Sequence, residues 1–279
     1  MKDFTVYISE KLKITKKMLS PKETLTPKTK NDLIIMIIHE VQSVDESGLL
    51  DLNHIDISNV DNLNSVFHQK HFPDNEIMLN IDISSWNLDH INDMEFLFYN
   101  DKINSVILPD TKKLDEYLFH NCRNLTEAIL PASLTEIDNY FMDYCDKLKT
   151  IEIPDSVTKI GCSAFRNCSS LTSITLPDSI TNMREGVFSN CENLKSIKLS
   201  KQLKSLEYDM FLYCSNLEEV YLQNNIKNIE TNVFDSCKKL TKIHYDATMS
   251  EWCKIKLDNN WLEYSNVKEI ICNDGTINC

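Results

Sequence analysis

The stretch Phe165–Val187, FRNCSSLTSITLPDSITNMREGV, restarts at Phe188, and that restart decides the fold. The same phase recurs at Phe119, Met142, Phe211 and Phe234. Three positions after each stands a cysteine, giving the column Cys122, Cys145, Cys168, Cys191, Cys214 and Cys237. Three further on stands a leucine: Leu125, Leu148, Leu171, Leu194, Leu217 and Leu240. Two unbroken columns over six steps mark an internal repeat, the signature of an array of stacked units. Ala128, Ile151, Ile174, Ile197, Val220 and Ile243 form another apolar column, as do Leu130, Ile153, Leu176, Leu199, Leu222 and Tyr245. Later in each unit come Leu134, Val157, Ile180, Leu203 and Ile226, then Ile137, Ile160, Met183, Leu206 and Ile229.

Each unit therefore reads L-x-x-I-x-L-P, a strand whose alternate residues face one side, followed by a helical or irregular return bearing the Phe and Cys. A unit as short as Phe165–Val187 has no second layer on which to bury that face, so the units must stack. At about 4.8 Å per strand, six units make a parallel ribbon about 29 Å long. The expected fold is a right-handed repeat solenoid, a parallel β ribbon with short helical or irregular returns. Pro131, Pro154 and Pro177 end the strand in the early units, because proline cannot donate to a ladder; Ser200 and Gln223 replace it later.

Upstream the pattern loosens. Leu97, Ile103, Val106, Leu108 and Pro109 make a degenerate unit. Before it, DISNVDNLNSVF (Asp56–Phe67) matches NLDHINDMEFLF (Asn87–Phe98) at a longer step, with an insertion around His68–Asn80. Thr29 with Asp32 resembles a capping box, and Leu33, Ile34, Ile37, Ile38 and Val41 recur at helical spacing, which predicts an amphipathic helix over 30–42. The expected organisation is a basic flexible arm (1–29), then a solenoid over 30–279. Within the solenoid lie the capping helix (30–42), irregular repeats (50–118), six regular repeats (119–245) and a C-terminal cap (246–279).

Composition bounds the function. With 42% hydrophobic and 25% charged residues the chain is globular in make-up. Four glycines and no glycine-rich phosphate loop exclude the nucleotide enzymes built on one. Residues 1–30 carry a net charge of +5 and residues 31–279 one of -18, so the body repels nucleic acid while the arm could meet an acidic partner. Leu33–Ile38 is the longest apolar run, too short to span a bilayer, and MKDFTVYISEKLKI lacks the apolar core of a signal peptide. A cytoplasmic or particle-associated location is the expectation.

The stretch IPDSVTKIGCSAFRNCSSLTSITLPDSI (Ile153–Ile180) resembles the BspA-type leucine-rich repeat family, whose units read F-x-x-C-x-x-L-x-x-I-x-L-P. Asp82–Phe98 is similar to the companion repeat of that family, D-I-S-x-W-x-V-S-x-V-x-D-M-x-x-M-F, and Tyr245–Gly275 resembles its closing hairpin. The resemblance implies a scaffold for protein or host-surface recognition, a cell-surface location and no catalytic residues to carry over.

The cysteine column reads as a buried ladder of small side chains, since one thiol per coil in a row cannot surround a tetrahedral zinc. His68 and His71 stand one turn apart without a third ligand, so neither metal nor cofactor is expected. Trp252 and Trp261 read as apolar anchors over the last coil. A nucleophile would need a histidine and an acid converging on it, which the linear spacing does not supply. The informative surface is the outward side of the strands: Glu127, Ile129, Thr150, Glu152, Ser173, Thr175, Ser196, Lys198, Glu219, Tyr221, Lys242 and His244. Solenoids commonly bind through such a face, so the expected function is a non-enzymatic module that binds a protein partner. The alternative is a structural subunit or decoration of a larger assembly, tethered by the basic arm.

Overall fold

The computed structural model describes residues 22–72 and 77–279. Most of the expected basic arm, residues 1–21, and part of the insertion after His68 lie outside the described residues. The first helix, α1 (Lys30–Gln42), opens at Thr29, whose side chain accepts the Asp32 amide. The reciprocal bond comes from one residue further upstream, because the Asp32 carboxylate takes the amide of Lys28. Leu33, Ile34, Ile37 and Val41 are buried and join the same apolar core as the coils that follow.

From there the chain winds in coils. On one face β1 (Leu49–Asp51), β2 (Leu79–Asp82), β3 (Ile103–Ile107) and β4 (Glu127–Ile129) pair in that order, all parallel. The returns are irregular, as expected, with one addition that the sequence did not predict. From the return after β4 onward a second, two-residue strand is present: β5 (Glu136–Ile137), β6 (Lys159–Ile160) and β7 (Asn182–Met183) form a parallel sheet of their own. The bridge Glu152 to Thr175 carries the first face onward to β8 (Ser196–Lys198). Then β9 (Ser205–Leu206), β10 (Glu219–Leu222), β11 (Asn228–Ile229) and β12 (Lys242–Tyr245) continue both faces in alternation. Register follows the sequence period, with Glu219 beside Ser196 and Lys242, and Val220 beside Ile197 and Ile243.

The rest of each return is neither helix nor strand. Two residues four apart take left-handed backbone conformations in every regular coil: Tyr117 and Asn121, Tyr140 and Tyr144, Ser163 and Asn167, Gly186 and Asn190, Asp209 and Tyr213, Asn232 and Ser236. That alternation points every second amide at the next coil. Tyr140, Met142 and Tyr144 donate to the carbonyls of Cys162, Ala164 and Arg166 at 2.8, 2.7 and 3.0 Å, and the pattern repeats. The coils are thus laddered on three sides.

The phase-zero carbonyl points the other way, and this explains the cysteine column. The Phe165 carbonyl accepts the Cys168 amide at 3.3 Å and the Cys191 thiol from the following coil at 3.2 Å. A cysteine is small, apolar and still a donor, so it fills the core and serves a carbonyl that would otherwise have only one partner there. The same thiol contact is made by Cys122, Cys145, Cys168, Cys214 and Cys237. All ten cysteines are free thiols. Burial pushes the Cys122 and Cys237 thiols up to about 12 and raises the others in the column.

Phe165, Phe188, Phe211 and Phe234 stack nearly parallel with centroids 5.8, 5.6 and 5.5 Å apart. Trp261 closes the column edge-on at 6.2 Å. A short helix, α2 (Met249–Trp252), starts with a capping box between Thr248 and Glu251 and sets Trp252 against Tyr245 at 5.3 Å. After β13 (Lys256–Leu257), β14 (Glu269–Cys272) extends the first face and β15 (Gly275–Asn278) folds back antiparallel on it. Where the strand-ending proline is missing, Ser200 substitutes a hydrogen bond. Its hydroxyl donates to the Ile180 carbonyl at 2.6 Å, the bond that Ser156 and Ser179 make to Leu134 and Val157 from two positions later in their own coils.

Candidate interaction surfaces

The twelve outward positions lie along one strip. Thr150, Glu152, Ser173, Thr175, Ser196, Lys198 and Tyr221 are exposed, while Glu127, Ile129, Glu219, Lys242 and His244 are half-buried. Strand register sets them side by side, because neighbours in a parallel ladder point the same way. Glu219, Tyr221, Lys242 and His244 join into one network at its C-terminal part. The Tyr221 hydroxyl donates to Glu219 Oε2 at 2.7 Å, His244 Nε2 lies 3.4 Å from the same oxygen and Lys242 Nζ 4.0 Å from Oε1. The Tyr221 hydrogen bond, helped by the charges of His244 and Lys242, holds the Glu219 carboxyl below its ordinary range against some desolvation. The same bond raises the Tyr221 phenol. The Tyr221 and His244 rings stack at 4.4 Å, so each uses one face on the other.

Beside this network a cleft of about 320 Å³ opens at the strand ends, lined by Lys198, Lys201, Tyr221, Gln223, His244 and Asn273 among others. Lys201 is paired with Asp178 at 3.0 Å, whereas Lys198 makes no ion pair among the described residues. The arrangement can bind through hydrogen bonds and charge. Among the described residues His68 and His71 meet no third ligand; His68 Nδ1 accepts the Lys70 amide and its ring stacks on Tyr99 at 4.9 Å. Among the described residues no three metal-ligating side chains gather.

A second surface, on the left-handed edge of the coils, escaped the sequence reading. Phe96, Tyr117 and Tyr140 stack at 4.8 and 4.9 Å, and the Arg166 guanidinium caps the column 5.4 Å from Tyr140. Arg166 donates twice to Asp143, Nε to Oδ1 at 3.1 Å and Nη2 to Oδ2 at 2.7 Å, and Asn167 donates to Oδ1 at 3.0 Å. His120 Nδ1 stands 3.4 Å from Oδ2. The Asp143 side chain is 0% exposed. Desolvation opposes its ionisation most strongly, yet the contacts from His120, Arg166 and Asn167 with the Arg166 charge together outweigh it and hold the carboxyl below its ordinary range. Tyr144 lies between Arg166 and Arg123, 5.9 and 5.6 Å from its ring centroid. The signal that could have found this edge is compositional: the chain has three arginines against 26 lysines, and two of the three fall here.

Six regular coils carry the Phe–Cys turn at a constant step, and residues 49–162, 90–184 and 135–268 match the BspA type Leucine rich repeat region, in six copies. The chain belongs to the BspA-type leucine-rich repeat family. The family and fold are those of protein-binding or surface-recognition modules that are typically not enzymes. Among solved structures, the leucine-rich repeat protein of T. pallidum is 23% identical, with a TM-score of 0.47 and coverage of 70% of this chain and 79% of that one. A leucine-rich repeat protein from Bacteroides ovatus is 23% identical, with a TM-score of 0.43 and coverage of 62% and 56%. One from Eubacterium ventriosum is 16% identical, with a TM-score of 0.47 and coverage of 82% and 87%. No curated protein matches the chain. Among the described residues no helix is long and apolar enough to cross a membrane.

Proposed function

We propose that this BspA-type repeat protein is a non-enzymatic interaction module that binds a partner protein through the outward strand face. The observation that supports this most directly is the strip from Thr150 to His244, whose side chains stand in register, largely exposed and free of core duties. Solenoids present such a face as one continuous surface, and a rigid ladder loses little entropy when a partner settles on it.

The test is comparative capture with the full chain, wild type against the triple variant Thr175→Ala, Lys198→Ala, Tyr221→Ala. None of the three points inward, so the melting temperature should hold while the captured partner is lost. Equal capture by the variant would refute the strand-face reading. Loss of capture only when residues 1–29 are deleted would favour the competing role, a subunit tethered to a larger assembly by its basic arm.

A further inference from the structure

The left-handed edge around Tyr144 is a different surface, and what it could do does not depend on the strand face. We propose that Arg123, Tyr144 and Arg166 form an anchor for carboxylate side chains on an acidic segment of a partner protein. The first ground is the choice of cation. In a chain that uses 26 lysines and three arginines, arginine stands one coil before and one coil after a single tyrosine. Arginine differs from lysine in its planar stacking and its forked donors, which are the properties that grip a carboxylate through two bonds.

The second ground is the donors left over. Arg166 spends the fork formed by Nε and Nη2 on Asp143, which leaves its outer fork free on a side chain 35% exposed. Arg123 gives Nε to Asn121 at 2.9 Å, and its Nη1 sits 3.8 Å from Asp146, beyond hydrogen-bond reach, on a side chain 51% exposed. Both guanidiniums can therefore donate to a further carboxylate without releasing the partners they hold.

The third ground is that the fold does not require the cluster. The position of Asp143 holds His120, Arg166, Ser189 and Leu212 in neighbouring coils and a half-buried Asp235 in the last, so a fully buried carboxylate there is an exception to the repeat. Replacing a buried ion pair by apolar residues is often neutral or stabilising, so stability alone does not account for one. Here the result is visible: Asp143 fixes Arg166 against the rings of Tyr140 and Tyr144. A guanidinium held in place beforehand has less freedom to lose on binding. Because Asp143 and Asp146 offset much of the positive charge, recognition rests on the forks and the ring plane. Elsewhere on residues 31–279, with their net charge of -18, an acidic segment meets repulsion, so within that body this edge is the favoured site and the basic arm is the competitor that the arginine variants distinguish.

The experiment is a fluorescence-anisotropy titration of the full chain with a fluorescein-labelled peptide of alternating Glu and Gly, against a Lys–Gly peptide of equal length, at about 50 and 150 mM salt. Saturable binding of the Glu peptide that depends on the arginines is expected, whereas any binding of the Lys peptide to the acidic body should not respond to the arginine variants. Arg123→Lys and Arg166→Lys keep the charge and should each weaken it about tenfold, since a single point charge cannot replace the fork. The strand-face triple variant should bind the peptide as wild type does, which separates this inference from the reading above. Arg166 also serves a buried carboxylate, so a thermal melt accompanies that variant; Arg123→Lys touches no buried group and decides the matter if Arg166→Lys fails to fold. Undiminished binding of the Glu peptide by Arg123→Lys, or no saturation at the lower salt, would overturn the proposal. A phosphoserine peptide that competes at a tenfold lower concentration would overturn the carboxylate assignment.

Discussion

Removing either partner of the Asp143–Arg166 pair should cost different amounts, and the difference follows from exposure. Arg166→Leu leaves the Asp143 carboxylate, 0% exposed, with the Asn167 hydrogen bond and His120 Nδ1 at 3.4 Å but no permanent cation. Stripping the partner from a buried charge costs about 3–5 kcal/mol. Asp143→Ala instead leaves Arg166, which is 35% exposed and can turn to water. That variant loses net hydrogen bonds to a charged group and little else, so about 1.5–3 kcal/mol is expected. The double variant should recover much of the loss caused by Arg166→Leu alone, since no uncompensated charge remains. Urea denaturation of the three variants, followed by far-UV circular dichroism, measures this directly. Equal costs for the two single variants, or a cost below about 1 kcal/mol for Arg166→Leu, would refute the account. The sign with pH is also fixed. The folded-state carboxyl lies below its ordinary value, so its contribution is complete above the unfolded-state value of about 4 and fades as pH falls through the lower folded-state value. In Asp143→Asn that part of the acid sensitivity should disappear.

Phe188→Ala should cost about 3–5 kcal/mol in the same assay, because the ring is fully buried and stacked on both Phe165 and Phe211. Gly48→Ala should lower the melting temperature well beyond a surface substitution: φ is +69° there, and a Cβ would stand 2.0 Å from the Met78 carbonyl oxygen. In native protein a thiol reagent read by mass spectrometry should label Cys253 and Cys279, which are exposed, and reach the six-cysteine column only after denaturation. Deleting residues 246–279 uncovers the end of the core at Phe234 and Tyr245, so light scattering should report aggregation in place of a shorter monomer.

The coil period was legible because packing repeats side chains. The Cys and Leu columns, and the Phe column apart from Met142, fill the same volume in each unit, so their identity survives from coil to coil. The second strand of each coil was not legible as a strand, although its apolar column was. A two-residue strand such as Glu136–Ile137 presents one inward residue per coil, too few for alternation to register. The third ladder left no trace for another reason. Its positions share a backbone conformation across Tyr140, Ser163, Gly186, Asp209 and Asn232, and nothing in those side chains announces it. The outward strand residues followed from alternation alone, whereas the Arg123–Tyr144–Arg166 edge depends on contacts between coils at positions that change type along the stack.

The three ladders have a consequence for how the molecule opens. An interior coil is hydrogen-bonded to both neighbours on all three sides, while a terminal coil has one neighbour and its cap. Freeing a coil in the middle breaks two interfaces, and freeing one at an end breaks a single interface. Opening therefore advances inward like fraying rope, and amide protons should exchange with solvent fastest near α1 and β15 and slowest around the coils of Phe165 and Phe188. Asp143, Tyr144 and Arg166 belong to that slow middle, where a docking surface stays assembled even while the ends breathe.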